Sequence, residues 1–254
     1  IYQQVYPIHG IVFTLAMYGF PVAIAKFIAE QRKNTSQVLT VSFFVLTVVS
    51  VVFFTFLYLF SPVLANIVGD PDLVPLYRTI SFAVLFVPII SVLRGMFQAQ
   101  EHALPTALSQ IAEQLIRVIV IVALAIYFIQ QGFGVYAAGV GAAAGSIAGA
   151  AASAFLLCVF YRKKAQSFPF CLSIRWNRFI SVGKHLIVQG FIISLGSLAF
   201  VLFQLIDSAT IIKQLEQFGY LLDEAKRIKG IYDRSQPLLQ LGFTLATSLS
   251  LVIV

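Results

Sequence analysis

The chain reads as long uncharged apolar runs separated by short polar ones. Crossing ~30 Å of hydrocarbon takes ~20 mostly apolar helical residues, and seven segments qualify. The first runs from about Pro7 to Glu30, uncharged until Lys26 and with Pro21 inside it. The second, Val38 to Phe60, has no charge and is rich in Val and Phe, as suits a lipid-facing helix. The third runs from Leu76 to about Phe97, and Pro88 within it predicts a kink. The fourth, Ala103 to Ile129, contains Glu113 and Arg117. The fifth, Val135 to Tyr161, carries Gly141, Gly145 and Gly149 at four-residue steps, a spacing that permits close helix contact. The sixth covers Leu186 to Ile206, and the seventh ends the chain at Val254.

The polar intervals divide the chain. Gly69-Asp70-Pro71-Asp72 is a turn signal. Arg162 to Lys184 is a basic connector with Trp176 as an interface anchor, and it marks the boundary between two lobes. The expected domains are therefore a first lobe over 1–161, a cytoplasmic connector over 162–184 and the start of a second lobe over 185–254. Asp207 to Gln236 is a mixed-charge loop. Within it Ile211, Leu215, Phe218 and Leu222 recur at helical spacing, which predicts a short helix on the membrane surface.

Shifting the sequence by 230 positions aligns Ile1, Tyr2, Pro7, Phe13, Thr14, Leu15, Ala16 and Val22 with Ile231, Tyr232, Pro237, Phe243, Thr244, Leu245, Ala246 and Val252, 8 identities in 24 residues. Two apolar helices can match by chance, but the Tyr and Pro lie outside the apolar core at fixed offsets. Internal duplication of this kind is common in secondary transporters.

Hydrophobic residues make up 59% of the chain and charged residues 11%, against ~25% charged in ordinary soluble domains. The class is therefore an all-α, polytopic membrane helix bundle. Cys158 and Cys171 lack any metal or disulfide spacing, and His9, His102 and His185 lack ligand spacing. No nucleophile, base or metal constellation points to an enzyme, and nothing points to a nucleic-acid partner. Residue 1 is not methionine and the chain stops inside an apolar run, so an excerpt of a longer protein is expected.

Orientation follows from the basic residues. The side holding the loops after the first, third and fifth spans has nine Lys or Arg, and the other side six, five of them among acids in the long loop after span six. Basic residues favour the cytoplasm, so Arg162 to Lys184 faces inside and Asp207 to Gln236 outside. Residue 1 then starts outside, which implies at least one helix before it.

Ionisable groups cost at least ~2.5–3.5 kcal/mol at a membrane helix centre and usually face a bundle interior or a wet cavity. Lys26 and Arg94 lie near the inner ends of spans one and three, where they serve either a site or snorkelling to headgroups. Arg117 lies about 21 Å along span four. Arg234 marks the outer entrance of span seven or is an ordinary surface charge. Glu113 and Arg117 can neutralise each other as an i,i+4 pair. Alternatively, Thr106, Gln110, Glu113 and Arg117 form one polar stripe, the wall of a water-filled cavity.

The run Arg94-Gly95-Met96-Phe97-Gln98-Ala99-Gln100, with Pro105-Thr106-Ala107 and Ser109 through Val118, resembles the polysaccharide-transport or stage V sporulation protein B branch of the multidrug/oligosaccharidyl-lipid/polysaccharide (MOP) flippase superfamily. Tyr2 through Pro7, Gly19 through Ile24 and Tyr232 through Leu238 carry the same resemblance. MurJ-type lipid II flippases are relatives within it. The resemblance implies two six-helix lobes in a V around a central cavity, with this chain holding family helices 2 to 8 and lacking helix 1. It also implies a multi-pass protein of the bacterial plasma membrane that moves an undecaprenyl-diphosphate-linked saccharide by alternating access.

On this reading Lys26, Arg94, Arg117 and Arg234 attract the diphosphate while Thr106, Gln110 and Glu113 line the wall. The partners are the bilayer and the lipid-linked saccharide. No cofactor is expected apart from a coupling ion that the residues do not identify. A cation-coupled multidrug exporter of the same superfamily, or an assembly factor without transport activity, are the alternatives. The first would need more buried acid than Glu113, and the second leaves the polar stripe unexplained.

Overall fold

In a computed structural model of the chain, residues 2–30, 34–163 and 176–235 are described. Their regular structure is entirely helical. Among the described residues, four helical stretches are long and apolar enough to cross a membrane: Thr35–Leu59, Pro71–Ala99, Ala103–Gln130 and Gly134–Lys163. They coincide with the second to fifth predicted spans. The second copy of the repeat beyond Ser235, the bulk of the connector over 164–175 and the Trp176 side chain lie outside what is described.

Two prolines shape the first and third spans by what they withhold. The first comprises α1 (Tyr2–Thr14), a π-helical turn (Leu15–Gly19) and α2 (Phe20–Glu30). Pro21 has no N–H to give to the preceding turn, and just before it the Phe20 N–H reaches five residues back, to Leu15 O. A π-turn widens the helix so that the missing bond falls where the spacing has already changed. The third span follows α3 (Thr35–Leu59) and α4 (Ser61–Val68). It comprises a 3-10 turn (Pro71–Leu73), α5 (Val74–Ser81), a 3-10 segment (Phe82–Phe86) and α6 (Val87–Ala99). Pro88 cannot bond Val84 O, and the Val87 N–H takes that carbonyl instead. The expected kink thus takes the form of a tightened 3-10 segment.

The fourth and fifth spans, α7 (Ala103–Gln130) and α8 (Gly134–Lys163), pack along their lengths through the glycine stripe. A Cβ at Gly141 would meet Leu124 at 2.9 Å, one at Gly145 would meet Arg117 O at 3.0 Å, and one at Gly149 would meet Glu113 O at 2.6 Å. Backbone carbonyls cannot swing aside as side chains can. Gly149→Val in the full-length protein should therefore destabilise the fold by about 1–3 kcal/mol, the usual range for overpacking. The check is the thermal unfolding midpoint, with Gly230→Ala, which meets nothing within 4 Å, as the unaffected control.

Amphipathicity is inverted relative to a soluble protein. On α7, Ile111, Leu115, Val118, Val122 and Ile126 are exposed, whereas Thr106, Ser109, Glu113 and Arg117 are buried. Lipid solvates the first set and cannot solvate the second. On α3, Phe44, Val48, Val52 and Phe56 likewise point outward.

The sixth predicted span requires correction. Helix α9 runs unbroken from Trp176 to Gln217, about 63 Å at 1.5 Å per residue, so it takes in nine residues of the expected connector and eleven of the expected loop. Asp207 ends the apolar run, but a charge ends a membrane span without ending a helix. No Gly or Pro intervenes between Gly196 and Gly219, and Gly219 then turns the chain with φ 95°. The helix that follows this turn is α10 (Leu222–Asp233). Ile211 and Leu215 belong to α9, and Phe218 is 83% exposed.

Between residues 183 and 213, helix α9 lies against the first two spans and the turn after α4. Phe27 stacks near His185 at 4.8 Å between ring centroids, Gly19 abuts Gly190 and Ser194, Gly10 faces Val201, and Gly69 faces Ile212.

Candidate functional site

Among the described residues, Arg94 is the largest fully buried side chain, 1% exposed. It projects from the last turns of α6, where Gly95 beside it lets α6 approach Pro21 and Ile24 of α2 closely. Its Nε donates to Ser109 Oγ at 3.0 Å. Its Nη2 donates to Glu113 Oε2 and to Ser153 Oγ, both at 2.9 Å. Ser153 continues the α8 glycine stripe by one further four-residue step, so the residue spacing that brings α8 against α7 also delivers the hydroxyl. Ser109 in turn donates to Thr106 O at 2.7 Å.

The other carboxylate oxygen of Glu113 accepts from Arg117 Nη2 at 2.7 Å. Arg117 Nη1 also donates to Gln114 Oε1 at 3.2 Å, and its guanidinium lies 4.8 Å from the centroid of the Phe13 ring, a favourable cation–π placement. One carboxylate thus holds two guanidinium groups. The i,i+4 pair exists, but with Arg94 included the three charges sum to +1, in a region where each charge needs its own compensation.

A crevice opens beside this cluster, lined by residues that include His9, Phe13, Arg94, Glu113 and Arg117. The room within it, about 20 Å³, accommodates a water molecule or two. Arg117 Nε and His9 Nε2, both buried, have no hydrogen-bond partner. Glu113 and Arg117 of the stripe therefore face residues of α1, α6 and α8 across this narrow crevice. Gln110 is partly exposed, and Ser109 takes the place expected of it.

Lys26 is exposed on α2, and Arg234, just past α10, is also exposed. Neither lines the crevice. The cluster therefore unites Arg94 and Arg117 of the four cationic candidates. Ser109, Ser153, His9 and Phe13 are members that the charge pattern alone did not single out, although the four-residue step to Ser153 was present in the sequence.

A second polar cluster lies where the turn after α4, the start of α8 and α10 meet. Lys226 Nζ lies 2.7 Å from Asp70 Oδ1 and donates to Tyr136 Oη at 3.0 Å, and the Tyr136 hydroxyl donates to Asp70 Oδ2 at 2.9 Å. Burial lowers the pKa of Lys226, but hydrogen bonds to Asp70 and Tyr136 more than reverse this, leaving it above that of an ordinary lysine. Asp70 and Lys226 come from the connections after the second and sixth spans and Tyr136 from the first turn of α8, just after the connection that follows the fourth, so these three places share one side of the bundle. That sharing is what alternate crossings of a membrane require.

Long apolar helices, lipid-directed apolar faces and polar groups turned inward define a multi-pass membrane protein. The family described as polysaccharide biosynthesis protein matches residues 1–254, and the chain belongs to it. The membrane protein YabM of Bacillus subtilis (strain 168) is 36% identical over 259 residues, covering 100% of this chain and 48% of the relative. Stage V sporulation protein B of the same organism is 32% identical over 171 residues, 65% of this chain and 32% of that protein. Its lipid II flippase MurJ is 32% identical over 133 residues, 47% of this chain and 24% of that protein. The chain thus spans about half or less of the length of these curated relatives. No solved structure matches it.

Proposed function

We propose that the full protein is a flippase for a lipid-linked saccharide whose diphosphate is recognised by Arg117, with Arg94 as the fixed partner of Glu113. The observation that carries this reading is the pair of arginines sharing Glu113 beside a crevice in the membrane interior. The similarity to a lipid II flippase and to the polysaccharide biosynthesis family supports it.

The two arginines are held differently, and this separates their roles. Arg94 is locked by three partners on two helices. Arg117 has Glu113 and Gln114 on its own helix, and its Nε is free, so it can turn toward an arriving anion while Arg94 keeps Glu113 compensated. A diphosphate offers more negative charge than one carboxylate, and in a site of low dielectric constant that difference is large. Lys26, exposed on α2, is suited to a first contact on the inner side, while Arg234 lies on the side of α10. A transporter of cationic drugs would need an available acid, and both oxygens of Glu113 are taken by arginine.

Binding to the purified full-length protein tests the reading. An undecaprenyl-diphosphate saccharide should bind about tenfold or more tightly than the same lipid and sugar joined by an uncharged linker, a difference of about 1.4 kcal/mol. Equal affinity would remove the diphosphate from recognition.

Sidedness is tested separately, in intact cells with a membrane-impermeant thiol reagent. Glu216→Cys should label and Lys163→Cys should not; the reverse pattern would invert the assignment of α10 to the outer face.

A further inference from the structure

Helix α10 is predominantly polar, and much of its surface is open: Asp223, Glu224, Arg227, Gly230 and Tyr232 are all exposed. A helix of this kind has little apolar area with which to adhere. What ties it to the turn after α4 and to the start of α8 is Lys226, whose ammonium reaches Asp70 and Tyr136, next to Ala225, which is fully buried; toward α9 the Tyr232 hydroxyl donates to Asp207. Asp70 is itself 1% exposed, and it is presented by Gly69, whose φ of 81° ends α4 in a left-handed turn of a kind that glycine adopts most readily. Asp72, exposed, stands 3.9 Å from the same ammonium. The contact therefore joins α10 to the turn after α4 and to the first turn of α8 through charge and hydrogen bonds.

We infer that Asp70, Tyr136 and Lys226 form an ionic latch that closes α10 over the outer ends of the first five spans and parts when that side opens. The geometry of the latch is independent of the transported molecule; its purpose rests on the flippase reading above. An ion pair suits a contact that must open and close. Its net stabilisation is smaller than that of well-packed apolar groups, because both ions regain hydration when they separate. Loss of one partner is different in kind, since it leaves Asp70 buried without its counter-charge, so the closed form is disfavoured and the open one gains population.

The latch is read out by exposure of Ala225, which is accessible only when α10 lifts. In the full-length protein with its native cysteines replaced, Ala225→Cys is treated in intact cells with a charged, membrane-impermeant maleimide. Labelling should be slow in the otherwise unaltered protein and about tenfold or more faster with Lys226→Met, as befits a broken buried pair. Tyr136→Phe should accelerate it by a smaller factor. Lys226→Arg, which keeps the charge, should restore slow labelling and so separate release of a latch from general loss of the fold. Glu224→Cys, exposed beside it, should label rapidly in every background. An unchanged rate at Ala225→Cys with Lys226→Met would overturn the latch, and failure of Glu224→Cys to label from outside would overturn its outer placement. Because the readout is labelling and no substrate is added, a wrong assignment of the transported lipid would leave this result unaffected.

Discussion

Arg94→Met should destabilise the full-length protein by about 3–5 kcal/mol, the cost of leaving one member of a buried charge network without its partner. The arginine satisfies Ser109, Glu113 and Ser153 at once, and all three are buried. Lysine keeps the charge but cannot copy a planar donor fork, so Arg94→Lys should recover only part of the loss. The triple change Arg94→Met, Glu113→Leu and Arg117→Met removes every charge together. Thermal or denaturant unfolding in a fixed detergent should then show stability largely restored, since buried ion clusters are often replaceable by apolar residues of similar volume. A triple variant no more stable than Arg94→Met would mean that the network shapes the bundle in a way its charges do not explain.

Arg117→Ala should leave the protein inserted and folded but slow flipping by about a hundredfold, equivalent to about 2.7 kcal/mol and within the range for a truncated charged contact. Arg117→Lys should retain part of the activity. The double change Glu113→Leu with Arg117→Met is a less clean test than an isolated i,i+4 pair would suggest, because it strands Arg94. The triple variant above is cleaner: with stability restored and every cationic group of the cluster gone, flipping should remain lost. Normal flipping by that variant would show that the cluster serves structure alone.

The helices were legible in the sequence because each span must carry about twenty apolar residues whatever it packs against. The α7–α8 contact was legible for a related reason, since Gly141, Gly145 and Gly149 leave a groove on one face whose spacing is fixed by the helix itself. Charge was a poorer guide. Asp207 correctly marked the end of the apolar run, but α9 continued to Gln217 because nothing in residues 197–218 breaks a helix. Glu113 and Arg117 were visible as a pair one turn apart. Arg94, though singled out, could not be joined to them from spacing alone, because its link crosses from α6 to α7 and α8. Asp70 read as part of a turn, which it is, and its partners Tyr136 and Lys226 stand 66 and 156 residues away. Contacts of that separation leave no local pattern.

The measurement that tests the central claim most directly is translocation in proteoliposomes holding the purified full-length protein. A fluorescent undecaprenyl-diphosphate saccharide is placed in both leaflets, and its accessibility to an external quencher or enzyme is followed over time. The unaltered protein should make the inner pool accessible, a counterpart substrate with an uncharged linker should remain where it was, and Arg117→Ala should abolish the difference between protein-containing and empty vesicles. Equal movement of charged and uncharged substrates, undiminished by Arg117→Ala, would contradict recognition of the diphosphate at this cluster.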